Sequence, residues 1–170
     1  MAEFVVGIGE VLWDMLPEGK KIGGAPANFA YHVSQFGLPG CAVSAVGNDE
    51  LGAEILTDLT SKEINNAITI VPFPTGTVQV EIDKEGIPRY DIKENVAWDN
   101  IPYTPELKRL AKNTRAVCFG SLAQRGAVSR ATITSFIDDI PAKEATLIVF
   151  DINLRQDFFY PELLKNSIRR

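Results

Sequence analysis

Two adjacent glycines, Gly23 and Gly24, stand directly before a segment with helical periodicity, and Asn28 follows in its predicted first turn. Glycine has no Cβ, so a ligand can approach its backbone closely and positive φ angles carry no steric cost. The start of a helix adds free N–H groups and the positive end of the helix dipole. Asn28 can offer an acceptor and two donors. This combination favours a polyol or an anion as ligand.

Other polar residues that could do chemistry accompany predicted strands. Asp14 lies near the end of one, and Asp151, Asn153 and Arg155 follow another. A carboxylate accepts strong hydrogen bonds from hydroxyl groups, and an arginine fork suits a phosphate or an oxyanion. Taken alone, Asp14 reads as a solvated carboxylate, and Asp151 as a cap beside a surface arginine that pairs with Asp157.

The elements that must position these residues alternate between buried strands and helices. Such alternation predicts an α/β fold with a mostly parallel sheet, in which ligands collect at the carboxyl ends of the strands. The predicted strands of this sheet are residues 4–8, 41–46, 116–119 and 147–150. The predicted helices are 26–36, one capped by Asn48 or Asp49, one capped by Thr104, one around 133–140, and one that begins at Pro161.

The middle of the chain differs from this pattern. Apolar residues at positions 78, 80 and 82 alternate with polar residues such as Gln79. This alternation predicts a sheet with one apolar and one polar face. We therefore expect an inserted small β-sheet built from about residues 10–24 and 67–100. Its predicted strands are 11–15, 67–71, 77–83 and 87–93, with a hairpin turn over 83–86.

Composition limits the functional classes. The 170 residues carry a net charge of −5 and no basic run, which argues against nucleic acid or an anionic membrane as partner. No apolar stretch has membrane-spanning length, and the N-terminus lacks the basic region of a signal peptide. Cys41 and Cys118 lie in apolar runs, which favours buried free thiols in a reducing, cytoplasmic compartment over a disulfide. A single histidine argues against a histidine-rich metal site.

Several motifs in order resemble the PfkB-type sugar kinases, the ribokinase and fructokinase family. The glycine pair extends to Gly-Gly-x-Pro-x-Asn-x-Ala over residues 23–30, followed at the family spacing by Gly37 and Gly47. Residues 7–17 read Gly-x-Gly-Glu-x-Leu-x-Asp-x-x-Pro, and residues 46–52 read Val-Gly-x-Asp-x-x-Gly. Residues 151–155 read Asp-x-Asn-x-Arg, a motif typical of the fructokinase and 2-keto-3-deoxygluconate kinase branches. The resemblance covers essentially the whole chain.

The resemblance implies a ribokinase-like three-layer α/β sandwich with a small β-sheet lid over a sugar. The implied activity is ATP-dependent phosphorylation of a primary hydroxyl, with fructose first among substrates and 2-keto-3-deoxygluconate or another sugar as the alternative. ATP and Mg²⁺ are the implied cofactors. The implied sugar-binding residues are Asp14, Gly23, Gly24, Asn28, Gln79 and Tyr90, and Asp151, Asn153 and Arg155 are expected to line a phosphate or substrate cleft.

The second half of the family pattern is absent from these 170 residues. No Gly-x-Gly-Asp motif, which carries the family's catalytic aspartate, occurs in the sequence. The Asn-x-x-Glu motif tied to magnesium is absent as well. We therefore expect residues 1–170 to be the N-terminal part of one domain, inactive alone, with no catalytic base and no metal ligand of its own. Truncation at this point predicts an unpaired sheet edge and uncovered apolar surface.

Two further classes stay open beside the sugar kinase. A sugar-binding or assembly module without catalysis would bind sugar and show no ATP turnover. A homodimerisation unit would use the face of the lid that the sugar does not occupy. The second and third interpretations are compatible with the first, and we expect a homodimer through the lid.

Overall fold

A five-stranded parallel sheet forms the centre of the protein. The structure is a computed structural model that describes residues 3–82, 88–142 and 146–170. The strand order is β5-β4-β1-β8-β9, and every neighbouring pair is parallel. Its strands are β1 (Phe4–Ile8), β4 (Gly40–Gly47), β5 (Asn65–Val71), β8 (Thr114–Gly120) and β9 (Leu147–Asp151). The prediction of an α/β fold with a parallel sheet is confirmed.

Helices cover both faces of this sheet, which gives the predicted three layers. Ala27 of α1 and Ile55 of α2 pack with Val46 on one face, whereas Leu107 of α3 and Phe136 of α4 pack with Val43 on the other. The helices are α1 (Ala25–Gln35), α2 (Glu50–Ser61), α3 (Pro105–Lys112), α4 (Ala127–Asp138) and α5 (Pro161–Ile168). Short 3-10 helices span Ala97–Asn100 and Leu122–Gln124.

Side chains cap two of these helices as the sequence predicts. Asp49 accepts a hydrogen bond from the Gly52 amide at 2.8 Å, and Thr104 accepts one from the Leu107 amide at 3.2 Å. Asp49 also accepts from the amide and the hydroxyl of Thr75. Burial alone would raise the pKa of Asp49, but these hydrogen bonds outweigh it and lower the pKa. The network ties α2 to the chain that leads into the smaller sheet.

A second sheet of four strands stands apart from the first. Its order is β3-β2-β6-β7; β2 pairs antiparallel with β3 and parallel with β6, and β6 pairs antiparallel with β7. These strands are β2 (Leu12–Leu16), β3 (Gly19–Gly23), β6 (Thr77–Ile82) and β7 (Pro88–Ile92). The hairpin turn predicted over 83–86 lies outside the described residues.

The small sheet is narrower than the 67–100 segment predicted for it. Residues 67–71 belong to β5, which pairs along its whole length with β4 of the large sheet. Trp98, in the same predicted segment, is fully buried and packs in the core of the large sheet. The sequence pattern predicts a strand over residues 67–71 but does not show which strand it pairs with, because that partner is distant in the chain. The assignment of residues 67–71 to the small sheet was therefore wrong.

The β9 edge of the large sheet carries uncovered apolar side chains. Leu147 is 62% exposed, and Ile148 and Val149, which point to opposite faces, are exposed too. Among the described residues only β8 pairs with β9. This matches the expectation of an open edge with apolar surface.

Both cysteines are buried free thiols, as predicted. Burial raises the pKa of Cys41 to about 12 and that of Cys118 to about 11. Within the described parts of the chain, no helix has the length and apolar character needed to cross a membrane.

Candidate sugar-binding site

A cavity of about 280 Å³ lies between the carboxyl edge of the large sheet and the small sheet. On the side of the large sheet it is bounded by the segments that follow β1 and β9 and by the start of α1. On the other side it is bounded by β2, β3, β6 and β7 of the small sheet. It is lined by Glu10, Leu12, Asp14, Gly23, Gly24, Ala25, Asn28, Val78, Tyr90, Ile92, Leu122, Asn153 and Arg155. The fold thus brings together seven of the nine residues predicted from the sequence.

Asp14 presents its carboxylate to this cavity from β2. In the neighbouring strand Gly23 pairs with Leu12, two residues before Asp14, and a Cβ at Gly23 would collide with Asp14 Oδ2. The absence of a side chain at Gly23 therefore leaves the space that the carboxylate occupies. Burial raises the pKa of Asp14, and the nearby positive charge of Arg155 opposes that shift. The result is a half-buried acceptor with a free approach from the cavity.

The turn at Gly24 aims the start of α1 at the same cavity. Gly24 has a φ of 109°, and a Cβ there would collide with the Glu10 carbonyl oxygen. Only glycine meets both conditions, because other residues rarely adopt this conformation. The N-cap residue Gly24 has no side chain, and the Glu10 carboxylate accepts a hydrogen bond from the Ala25 amide instead. Ala25 and Asn28 of the first turn line the cavity. The Asn28 side chain lines the cavity together with Asp14.

The loop after β9 supplies the third wall. The Arg155 Nε donates to Asn153 Oδ1 at 2.8 Å, and the Arg155 guanidinium lies 5.7 Å from the centre of the Tyr90 ring. Asp151 does not line the cavity; its Oδ1 accepts a hydrogen bond from the Asn153 amide at 3.1 Å. Asp151 therefore shapes the loop that places Asn153 and Arg155.

Gln79 is the other predicted residue that the structure does not bring to the cavity. Its neighbour Val78 is buried and lines the cavity, whereas Gln79 is exposed. Side chains alternate between the faces of a strand, so only one of these two can face a ligand. The apolar face of β6 covers the cavity, and the polar face meets solvent.

Ser121 and Gln124, which follow β8, hold the neighbouring loops in place. The Ser121 hydroxyl donates to the carbonyl of Ile152 at 2.7 Å, and the Gln124 amide donates to the carbonyl of Gly120 at 2.9 Å. Both are buried, and neither lines the cavity.

Sequence reasoning missed Glu10 as a member of the site. Glu10 follows Gly9 directly after β1, at the edge where ligands collect in a parallel sheet. A charged residue at the end of a buried strand was the available signal. The apolar part of the lining, Leu12, Ile92 and Leu122, was not predicted either, because these side chains meet only in the folded protein.

An acidic cavity floored by glycine backbone, at the carboxyl edge of an α/β sandwich and under a second sheet, suits a small hydroxyl-rich ligand. Comparison with known proteins agrees with that class. The sequence model of the pfkB family of carbohydrate kinases matches residues 18–158. The chain belongs to this family.

Two curated relatives show the extent of the match. An uncharacterized sugar kinase of Pyrococcus horikoshii is 31% identical over 168 residues, which cover 91% of this chain and 53% of the relative. An ATP-dependent 6-phosphofructokinase of Thermoanaerobacterium thermosaccharolyticum is 32% identical over 161 residues, covering 88% and 49%. The chain spans about half the length of these relatives.

Solved structures show the same fold. The crystal structure of the Pyrococcus horikoshii sugar kinase superposes with a TM-score of 0.79 at 30% identity, over 98% of this chain and 58% of the other. A second structure of that protein, in complex with ATP, gives a TM-score of 0.76. A fructokinase from Xylella fastidiosa gives 0.83 at 17% identity, over 99% of this chain and 57% of the other. The ribokinase-like fold inferred from the motifs is therefore confirmed.

Proposed function

We propose that this chain provides the sugar-binding part of a kinase that transfers a phosphoryl group from ATP to a primary hydroxyl of a sugar. The observation that carries the proposal is the half-buried Asp14 carboxylate, set over Gly23 in a cavity closed by the small sheet. Family membership supports the reaction type.

The residues of the chain divide the work of binding. Asp14 accepts hydrogen bonds from sugar hydroxyls, and a charged acceptor makes these bonds stronger than neutral ones. The side-chain amide of Asn28 offers donors to other hydroxyls. Val78, Leu12 and Ile92 pack against the carbon skeleton and exclude water. Together they orient the ligand, which is how binding residues contribute to phosphoryl transfer.

Arg155 bears on the class of sugar. The Asp-x-Asn-x-Arg motif and the motif at the N-terminus favour fructose first, with 2-keto-3-deoxygluconate as the alternative. Arg155 is exposed at the cavity wall, and its Nε donates a hydrogen bond to Asn153. The two terminal nitrogens of the guanidinium group are therefore left to pair with a carboxylate or a phosphate of a ligand. One relative is named as a 6-phosphofructokinase, so a sugar phosphate belongs in the same comparison.

ATP and Mg²⁺ enter this proposal as the phosphoryl donor and its metal ion. The described residues hold no group of three or more histidine, cysteine, aspartate or glutamate side chains placed for a metal. We assign no step of the reaction to the metal.

The test is release of ADP from ATP and Mg²⁺ by the complete gene product and by residues 1–170 alone. The sugars are D-fructose, fructose 6-phosphate, 2-keto-3-deoxygluconate, D-ribose and adenosine. We expect turnover by the complete product, with fructose preferred. Specificity for an anionic substrate is the alternative, and two variants test this. A preference for fructose 6-phosphate or 2-keto-3-deoxygluconate that Arg155→Ala loses and the distant Arg109→Ala keeps would assign the protein to that substrate class. Sugar binding without turnover by the complete product would favour the non-catalytic module, and turnover by residues 1–170 would contradict the division of labour.

A second candidate is self-association through the small sheet. Among the described residues β3 and β7 each pair with one strand only, so both edges of this sheet are open. Helix α2 covers part of the outer face, where Trp13 donates to the Leu51 carbonyl and Lys20 pairs with Glu54, while Gln79 stays exposed. We expect a dimer in solution by sedimentation, weakened by Gln79→Lys. A monomeric wild-type protein would contradict this candidate.

A further inference from the structure

Glu10 is an almost fully buried carboxyl group in the wall of the candidate site. It is 2% exposed and lines the same cavity as Asp14. Oε1 accepts a hydrogen bond from the Ala25 amide at 3.3 Å, which links the end of β1 to the start of α1. Oε2 has no hydrogen-bond partner among the described residues. Buried polar atoms are rarely left in this state, because the lost hydration is not replaced.

The surroundings of Glu10 disfavour its charged form. Burial raises the pKa of Glu10 to about 7, and the negative charge of Asp151 acts in the same direction. The backbone amides of Glu10 itself and of Ala25, and the positive charge of Arg125, oppose the shift. Asp14 and Arg155 are the other charged residues that line the cavity. Protonated and charged forms of Glu10 therefore coexist near neutral pH.

A bound sugar would supply the partner that Oε2 lacks. We infer that Glu10 is a second sugar-contacting carboxyl group, which accepts a hydrogen bond from a ligand hydroxyl through Oε2 and releases its own proton to solvent as the ligand binds. The inference rests on the proposed function. The hydroxyl keeps its hydrogen and donates it, and the carboxyl group loses its proton, so the net change is one proton released for each protonated Glu10.

The direction of the pH effect follows from this exchange. A carboxylate is a stronger acceptor than a carboxylic acid, so the bound hydroxyl stabilises the charged form and lowers the pKa of Glu10. Ligand affinity then rises as the pH increases through about 7. A shift of about one unit would make binding about ten-fold tighter on the alkaline side than on the acid side.

The experiment is calorimetric titration of the complete gene product with its preferred sugar, without ATP, in buffers of different ionisation enthalpy. We expect net proton release near pH 7 and tighter binding at pH 8 than at pH 6. Glu10→Gln keeps a carbonyl for the Ala25 amide but has no carboxyl proton. This variant should bind the sugar without proton release and with an affinity that does not change with pH. At pH 8 its affinity should be about ten-fold lower than that of the wild-type protein. Glu106→Gln, the same change at an exposed position of α3, should retain the wild-type profile.

Each outcome bears on a different claim. Wild-type binding without proton release, or an unchanged profile in Glu10→Gln, would overturn the inference and leave Glu10 as a tie between β1 and α1, with the proposed function intact. If no sugar binds to the wild-type protein, the proposed function fails and the inference fails with it. If Glu10→Gln does not fold, the wild-type protein can still overturn the inference, because sugar binding without proton release near pH 7 would contradict it.

Discussion

Replacing Asp14 with asparagine is expected to weaken sugar binding about 10- to 100-fold, because a charged hydrogen bond contributes about 1.5–3 kcal/mol. The new side chain has the same shape, so the space over Gly23 stays filled. What changes is the acceptor: the charge is lost, and an amide group that donates replaces one carboxylate oxygen. The measurement is the dissociation constant of the preferred sugar by calorimetry in the complete gene product.

A matched control for this variant lies on the same sheet. Asp91 of β7 is exposed on the opposite face and pairs with Lys93, so Asp91→Asn makes the same chemical change away from the cavity. It should bind sugar like the wild-type protein. Equal affinities of Asp14→Asn and the wild-type protein would contradict the assignment of Asp14 as the main sugar-binding residue.

Replacing Arg125 with methionine is expected to lower the free energy of unfolding by about 3–5 kcal/mol, because it leaves a buried carboxylate without its partner. Arg125 Nε and Nη2 lie 2.8 and 3.0 Å from the two carboxylate oxygens of Asp99. The two side chains are only 7% and 9% exposed. The guanidinium also packs on the rings of Trp98 and Phe158, at 4.1 and 4.3 Å from their centres.

Urea unfolding of the wild-type protein and of the variant measures this loss. The double variant Asp99→Asn/Arg125→Met should lose less unfolding free energy than the two single variants lose together. The reason is that it also removes the Asp99 charge, which Arg125→Met alone leaves buried without a partner. Lys62→Met, which breaks the exposed pair with Asp58 on α2, should cost about 1 kcal/mol or less. A cost for Arg125→Met as small as that of Lys62→Met would show that Asp99 is not desolvated.

Local patterns predicted most of the elements and the polar part of the site. Gly23, Gly24 and Asn28 could be placed at the start of a helix because the glycine pair and the helical period are contiguous in sequence. Asp14 could be placed near the end of a strand for the same reason. What these residues share is that a few neighbouring positions define their structure.

The features that the sequence did not predict depend on contacts between distant segments. Residues 67–71 joined the large sheet because β4, about twenty residues earlier, offers a free edge. Alternation in β6 predicts that the strand has an apolar and a polar face, but it does not show which face meets the ligand. The sequence therefore predicted Gln79 as a site residue, whereas Val78 lines the cavity. Burial of Glu10 and pairing of Arg125 with Asp99 appear only when loops from several strands meet.

The most direct test of the account is a crystal structure of the complete gene product with its preferred sugar bound. The account predicts sugar hydroxyls within hydrogen-bond distance of the Asp14 carboxylate and of Asn28, with the ring against Val78 and beneath the small sheet. A sugar bound elsewhere, or one in this cavity without contact to Asp14, would contradict the central claim.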